Sequence, residues 1–134
     1  MEISDERLRA KLSEDEYKVL REKGTEPPFS GKFLDHKEDG IYACKVCGSK
    51  LFNSTNKYDS HTPGLLGWPS FSEVMNSDVI ELVDDKSMGM NRVEVLCKKC
   101  KSHLGHLFPD NEATTGKHYC INSVCLDFVK EGAE

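Results

Sequence analysis

The segment YACKVCG (42–48) holds two cysteines that are separated by two residues and followed by a glycine. A second pair with the same spacing lies far along the chain, in LCKKCK (96–101). A CxxC turn directs two thiolates at one ion, and two such turns complete a tetrahedral site with no open position for water. We therefore predict one structural zinc ion. Its predicted ligands are Cys44, Cys47, Cys97 and Cys100.

The separation of the two pairs bears on the kind of zinc site. It is longer than in a compact zinc finger, so the metal is expected to join two distant hairpins. A thioredoxin-like redox role would need a single CxxC at the start of a helix. HLGH (103–106) lacks the glutamate that a metalloprotease needs between its histidines, and the zinc-deaminase signature is absent. The remaining alternative is that the four residues are cysteines only because small buried side chains are needed there.

Composition limits the possible partners. The chain has 134 residues and a formal net charge of −5, with acidic and basic residues interspersed. Nucleic acids and anionic membranes attract basic patches, so neither is an expected partner. No apolar run approaches the roughly 18 residues that a membrane span needs. The first twelve residues are not a basic segment followed by a hydrophobic one, so no signal peptide is expected. We therefore expect one cytoplasmic domain, residues 1–134, with reduced cysteines.

The N-terminal segment, residues 1–24, is expected to be helical. Ser13 and Glu16 have the spacing of a capping box at the start of a second helix. Leu12 and Tyr17 fit the hydrophobic staple that accompanies such a cap. Acidic residues in the first turn, basic residues in the last turn and a terminal glycine complete the pattern of a short helix.

Residues 30–130 have the sequence pattern of a β core, with short apolar runs separated by Gly, Pro, Asn and Asp. The clearest predicted strands are IYACKVC (41–47), RVEVLC (92–97) and HYCINSVCLDFV (118–129). TEPPFSG (25–31) is expected to be an extended surface loop because of its two prolines. Residues 59–71 are so rich in Gly and Pro that a long loop is expected there.

The start of the last predicted strand holds a candidate nucleophile. Alternate residues of an extended strand share a face, so His118, Cys120 and Asn122 are predicted to point the same way, and this face continues through Val124, Leu126 and Phe128. A cationic or hydrogen-bonding neighbour stabilises a thiolate, which is the nucleophilic form of cysteine. Taken alone, Cys120 is more often a small buried hydrophobe. Its polar neighbours and the two imidazoles of HLGH favour a reactive site.

Six segments of the chain, taken together and in order, resemble the methionine-R-sulfoxide reductases of the B class (MsrB). They extend over most of the chain, and unrelated proteins would rarely share all of them. The segments are EYKVLREKGTEPPFSGKF, GIYACKVCG, LFNSTNKYDS, GWPSF, EVLCKKCKSHLGHLFPD and TGKHYCINS. The resemblance implies a mainly β fold of two small antiparallel sheets, with short N-terminal helices packed alongside and a four-cysteine zinc site.

The resemblance also implies roles for individual residues. Cys120 in HYCIN matches the nucleophile, and Trp68 in GWPSF matches the tryptophan of the substrate pocket. His103 and His106 match the active-site histidines, and Asn122 matches the asparagine two places after the nucleophile. The implied reaction is attack of the Cys120 thiolate on the sulfoxide sulfur while imidazole and amide groups donate to the oxygen, which yields methionine and a cysteine sulfenic acid.

The sequence departs from the family pattern at two places. His118 occupies the position where the family usually has arginine, so a permanent charge is replaced by a titratable one. The residues before Trp68, HTPGLLG (61–67), lack the resolving cysteine of many relatives. An extended strand would hold Cys125 roughly 16 Å from Cys120, far beyond the reach of a disulfide. We therefore expect packing for Cys125 and an external thiol reductant, most simply thioredoxin.

Two other functions remain as alternatives. A non-catalytic zinc-stabilised module of related fold could act as a chaperone or protein-binding domain, because fold does not determine function. A zinc-ribbon nucleic-acid binder would need a basic stripe with interleaved aromatic residues, which the chain lacks. The HYCIN segment with Trp68 and HLGH distinguishes the reductase from both alternatives, because a scaffold would not need these residues.

Overall fold

The computed structural model describes residues 12–22, 24–27, 29, 31–34, 36, 38–58, 67–86, 92–110, 113 and 115–130. These residues form one helix and nine strands with short 3₁₀ turns between some of them. In chain order the helix and strands are α1 (Glu14–Glu22), β1 (Gly40–Cys44), β2 (Lys50–Asn53), β3 (Lys57–Tyr58), β4 (Ser70–Phe71), β5 (Ile80–Asp85), β6 (Arg92–Cys97), β7 (His103–Pro109), β8 (Lys117–Ile121) and β9 (Leu126–Lys130).

Helix α1 begins at the predicted capping box. The Ser13 hydroxyl accepts from the Glu16 backbone N–H at 3.1 Å, and the Glu16 carboxylate accepts from the Ser13 N–H at 2.9 Å. Leu12 and Tyr17 are both buried, as the staple requires. The predicted first helix lies outside the described residues, as does Lys23, one of the basic residues at the predicted end of the second helix. No helix among the described residues has the length and apolar character that crossing a bilayer requires.

The strands form two antiparallel sheets, as predicted. The smaller sheet has the order β2-β1-β9 and the larger has the order β3-β4-β8-β7-β6-β5. Aromatic side chains fill the space between the sheets: Phe52 of β2 stacks on Phe71 of β4 with ring centroids 4.4 Å apart, and Tyr42 of β1 meets Phe71 edge-on at 5.2 Å. All three side chains are fully buried. This core holds the ends of β4, β7 and β8 in place around the site.

The segment 118–129 is not the single strand that the pattern predicts. Strand β8 belongs to the larger sheet and β9 to the smaller one, and a 3₁₀ turn at Ser123–Cys125 connects them. The Val124 N–H donates to the Glu26 carboxylate at 3.0 Å, which holds the chain at this bend. The predicted shared face from His118 to Phe128 is therefore wrong, because alternation ends where the turn begins.

Two predicted loops are partly different in the structure. The segment 25–31 is predicted to lie at the surface, but Glu26 within it is only 4% exposed because it packs under the turn after β8. Ser70 and Phe71, at the end of the predicted loop 59–71, form strand β4 and pair with β8. Residues 59–66 lie outside the described part of the chain.

Candidate active site and metal centre

The four cysteines of the two CxxC pairs come together between the sheets. Cys44 ends β1 in the smaller sheet and Cys97 ends β6 in the larger one, and the turn after each strand supplies the second thiol. The four sulfur atoms all lie within 4.8 Å of one another. A left-handed residue closes each turn, Gly48 at φ 78° and Lys101 at φ 64°. The predicted ligand set is therefore brought together as a group that could hold a metal ion.

The spacing of the sulfurs tests the fit to a tetrahedral ion. Four thiolates at a zinc–sulfur distance of about 2.3 Å lie about 3.8 Å from one another. The structure has 3.6 Å between the sulfurs of Cys44 and Cys100, and 3.5 Å between those of Cys47 and Cys97. The group thus has the size and the donor set of a four-sulfur metal site.

Hydrogen bonds among these thiols separate their pKa values. The Cys44 and Cys97 thiols and the Ser102 hydroxyl lie around the Cys100 sulfur and lower the pKa of Cys100. Contacts with Cys100 and Cys97 raise the pKa of Cys44. The contact with Cys100 raises the pKa of Cys97 to about 12, the contact with Cys44 opposes this shift, and burial adds to it. One sulfur in the cluster therefore carries negative charge readily, which is the form that binds a metal cation.

A second site lies at the central strands of the larger sheet. It is a cleft of about 420 Å³, and it is open to solvent on one side. Side chains from the 25–31 segment, β6, β7, β8 and the segment before β4 form its walls. The residues that line it are Thr25, Trp68, Arg92, Gly105, His106, Phe108, Cys120 and Asn122.

Cys120 is the one cysteine among the described residues that line this cleft. It lies near the end of β8, with Ser70 of β4 and His106 of β7 directly opposite it in the two neighbouring strands. Burial, and then the negative charge of Glu26, raise the pKa of the Cys120 thiol to about 12. The thiol is therefore protonated at neutral pH, and it must lose that proton before it can react as thiolate.

His106 faces the cleft in a defined orientation. Its Nε2 lies 2.8 Å from Oδ2 of Asp85, at the end of β5. The same carboxylate oxygen lies 3.4 Å from Nη2 of Arg92. Because the Asp85 carboxylate accepts from Nε2–H, the Nδ1 atom of the neutral His106 ring is an acceptor. Sequence reasoning did not find Asp85 or Arg92.

His103 belongs to the layer behind the cleft. Its Nδ1 lies 2.8 Å from Oε2 of Glu94, and both side chains are nearly fully buried. The β6–β7 register shifts by one residue at Leu104, and this irregularity brings the His103 and His106 rings to 5.3 Å centroid distance although they are three residues apart. The structure thus brings the two histidines together, but His106 alone of the pair lines the cleft.

Glu26 links three parts of the cleft wall. Its backbone carbonyl accepts from the Trp68 indole N–H at 2.9 Å, and its N–H donates to Oδ1 of Asn122 at 3.0 Å. Burial raises the pKa of the Glu26 carboxyl, and hydrogen bonds from Val124 and Ser123 oppose this shift. Trp68 and Asn122 are therefore positioned by a residue that sequence reasoning assigned to a surface loop.

His118 is not at the cleft. Its ring is fully buried, with Nδ1 3.0 Å from Oδ2 of Asp110, and the Tyr58 hydroxyl donates to the same oxygen at 2.7 Å. His118 is not among the described residues that line the cleft. The predicted placement of His118 beside the thiol is therefore wrong, because its ring packs in the interior with Asp110 and Tyr58.

Cys125 is fully buried in the 3₁₀ turn, where its thiol donates to the His103 carbonyl at 3.2 Å. The separation of roughly 16 Å from Cys120 assumed an extended strand, and a 3₁₀ turn advances only about 2 Å per residue. That distance argument therefore does not hold. The bonded and buried thiol supports packing as the role of Cys125 on different grounds.

Two comparisons with known proteins give the same family. The family model called SelR domain matches residues 12–130. The chain is 51% identical over 131 residues to the peptide methionine sulfoxide reductase MsrB of Methanosarcina barkeri, an alignment that covers 98% of this chain and 89% of the relative. The chain belongs to the MsrB family. A second member, from Methanosarcina mazei, is 50% identical with 98% and 91% coverage, and one from Thioalkalivibrio sulfidiphilus is 50% identical with 95% and 90%. The family membership predicted from the sequence is confirmed.

Proposed function

We propose that the protein reduces the R epimer of methionine sulfoxide to methionine, with Cys120 as the nucleophile. The observation that carries the proposal is the position of Cys120 in an open cleft, in a chain of the MsrB family, opposite His106 and beside Trp68. A sulfoxide has an electrophilic sulfur and an oxygen that must be protonated before it leaves. The cleft combines a thiol for the first task with an imidazole for the second.

The reaction divides into two balanced steps. In the first, the Cys120 sulfur attacks the sulfoxide sulfur, the sulfoxide S–O bond breaks, and the oxygen and the thiol proton end on Cys120 as sulfenic acid, so the substrate sulfur is reduced and the cysteine is oxidised. In the second, two external thiols reduce the sulfenic acid to a thiol, forming a disulfide and water. We propose thioredoxin as the physiological reductant.

Each residue in or near the cleft is assigned a role from its position. Because Nε2–H of His106 is bonded to Asp85, Nδ1 accepts the Cys120 thiol proton and then donates it to the sulfoxide oxygen. The second amide hydrogen of Asn122 can assist, since the first is bonded to the Leu104 carbonyl at 3.0 Å. Trp68 forms an apolar wall for the S-methyl group, a contact that sulfur and aromatic rings favour. His103 acts through packing against His106. His118 is left out of the chemistry because of its burial with Asp110.

We propose that the metal is zinc, held by Cys44, Cys47, Cys97 and Cys100 in a purely structural role. A four-sulfur site leaves no coordination position for substrate, so zinc there would stabilise the fold and supply no chemistry. We also propose a single domain in the cytoplasm, where cysteines stay reduced. A non-catalytic binding module is disfavoured because it would not need a thiol in an open cleft.

One experiment tests the function. The pure protein is incubated with each epimer of methionine sulfoxide and with dithiothreitol, and the methionine formed is measured. We expect turnover of the R epimer alone and none in the nearly isosteric Cys120→Ser variant, with thermal unfolding unchanged. Equal turnover of both epimers, or activity that survives in Cys120→Ser, would contradict the proposal.

A further inference from the structure

The positive charge in the cleft comes from β6 and not from β8, the strand that holds Cys120. The family's arginine position is occupied by His118, which is buried away from the cleft. Arg92 instead lines the cleft from the first residue of β6, and it is the single Lys or Arg among the described lining residues. Its charge is permanent at any working pH. The cleft therefore contains a fixed cation that the nucleophile's own strand does not supply.

The position of Arg92 is set by the sheet. Arg92 pairs with Asp85 across the β5–β6 ladder, and the two side chains meet at 3.4 Å. The same Asp85 oxygen contacts Nε2 of His106 at 2.8 Å. A single carboxylate oxygen therefore orients two cleft-lining donors, a guanidinium and an imidazole. Both side chains of the Arg92–Asp85 pair are mostly buried, with 20% and 12% of the side chain exposed, so water screens this arrangement only in part.

We propose that Arg92 is a catalytic residue that binds the sulfoxide oxygen together with His106, while Asp85 is the positioning residue for both. This inference rests on the proposed reductase function. As the S–O bond breaks, negative charge grows on the oxygen, and a preorganised cationic donor stabilises that charge most in the transition state. Arg92 lines the cleft with His106 and is held by the same Asp85 oxygen, so it is assigned to the substrate oxygen that His106 also serves.

The alternative is a purely structural Arg92 whose ion pair with Asp85 holds the end of the β5–β6 hairpin. The two roles differ in what a charge-retaining substitution does. Arg92→Lys keeps the cation but loses the planar fork, and Arg92→Met keeps much of the length but loses the charge. A structural role predicts loss of thermal stability in both variants without a selective effect on a charged ligand.

Two measurements separate the roles. The first is the single-turnover rate of R-sulfoxide reduction at saturating substrate. This rate should fall about 100-fold in Arg92→Met and recover in part in Arg92→Lys. The KM measured in the steady state should change less. The second is the ratio of Cys120 alkylation rates by anionic iodoacetate and neutral iodoacetamide, read by mass spectrometry. The ratio cancels intrinsic thiol reactivity and should fall roughly fivefold in Arg92→Met.

The matched control is Lys117→Met, which removes an exposed cation from the same strand as Cys120 but outside the cleft. It should leave both measurements as in the unsubstituted protein. Unchanged single-turnover rates and an unchanged alkylation ratio in Arg92→Met would overturn the role of Arg92 while leaving the reductase function intact. Absence of sulfoxide reduction in the unsubstituted protein would instead overturn the proposed function, and this inference with it.

Discussion

At the scale of single residues, the cleft is shaped by groups that do not line it. Glu26 lies behind Trp68 and Asn122, and its charge raises the pKa of Cys120. A buried carboxylate near a partly buried thiol means that the protein avoids carrying both negative charges at once. Glu26 is therefore expected to limit the thiolate population of the free enzyme.

The first prediction tests this coupling with Glu26→Gln, which keeps an acceptor for the Val124 N–H. Removing the negative charge should lower the pKa of Cys120, so iodoacetamide should alkylate Cys120 faster at neutral pH, by up to about tenfold if that pKa falls by about one. Glu14→Gln, at the exposed start of α1, is the control and should have no effect. A slower or unchanged reaction in Glu26→Gln would show that the carboxyl is already neutral.

A second prediction concerns stability. The pKa of Glu26 is raised above its ordinary value of 4.5 in the folded state. As pH rises above 4.5, the carboxyl ionises first in the unfolded chain, so ionisation lowers the free energy of unfolding. Glu26→Gln should therefore raise the melting temperature at pH 7, and the gain should shrink as pH falls toward 4.5 and vanish below it. Melting temperatures across pH measure this, and a gain that is larger at low pH would contradict it.

The third prediction concerns the buried His118–Asp110 pair. His118→Leu should destabilise the fold by about 3 kcal/mol, because the buried Asp110 carboxylate loses its imidazole partner and keeps the hydrogen bond from Tyr58. The double variant with Asp110→Asn should recover part of this loss. Because His118 is away from the thiol, the pH profile of Cys120 alkylation should match that of the unsubstituted protein. A changed profile would restore His118 as an activator.

At the scale of elements, the approach of β7 to β8 depends on one glycine. A Cβ at Gly105 would overlap the carbonyl oxygen of Cys120. The absence of a side chain therefore lets the two strands pair where the nucleophile lies. The bend at Ser123–Cys125 then carries the chain from one sheet to the other, and it ends the alternation that the sequence pattern predicted.

The fourth prediction compares two glycines that border β8. Gly105→Ala should cost about 1–3 kcal/mol and impair turnover, because the backbone near Cys120 must move. Gly116→Ala meets no atom within 4 Å, but its φ of 78° is strained for alanine, so we expect a cost of about 1 kcal/mol with activity retained. Chemical denaturation and turnover measure both, and a fully active Gly105→Ala variant would contradict the packing argument.

At the scale of the whole molecule, the four-cysteine site joins the two sheets. Cys44 comes from the smaller sheet and Cys97 from the larger one. Helix α1 is tied to the same place, because the Arg21 side chain donates to the Cys100 carbonyl at 3.0 Å. A metal ion here would connect three parts of the fold that are distant in sequence.

The fifth prediction is that the protein binds close to one zinc ion per chain. Cys97→Ser should lower the zinc content. It should also lower the free energy of unfolding by about 3 kcal/mol, which corresponds to a fall of roughly 10 °C in melting temperature. Cys125→Ser, a buried cysteine outside the cluster, should keep its zinc and its dithiothreitol-supported turnover. Full stability after complete removal of the metal would contradict a structural role.

The features that the sequence determined by itself are local or repeated in pattern. The capping box of α1, the two CxxC pairs, the strands around residues 41–44 and 92–97 and the family motifs depend on short spacings, so neighbouring residues specify them. Only the tertiary structure decided the burial of Glu26, the pairing of His118 with Asp110 and the entry of Arg92 into the cleft. These features depend on contacts between segments that are far apart in sequence, and on the bend at Ser123–Cys125, which no periodic pattern predicts. Side-chain environment is set by such long-range contacts, and a single strand's alternation cannot specify them.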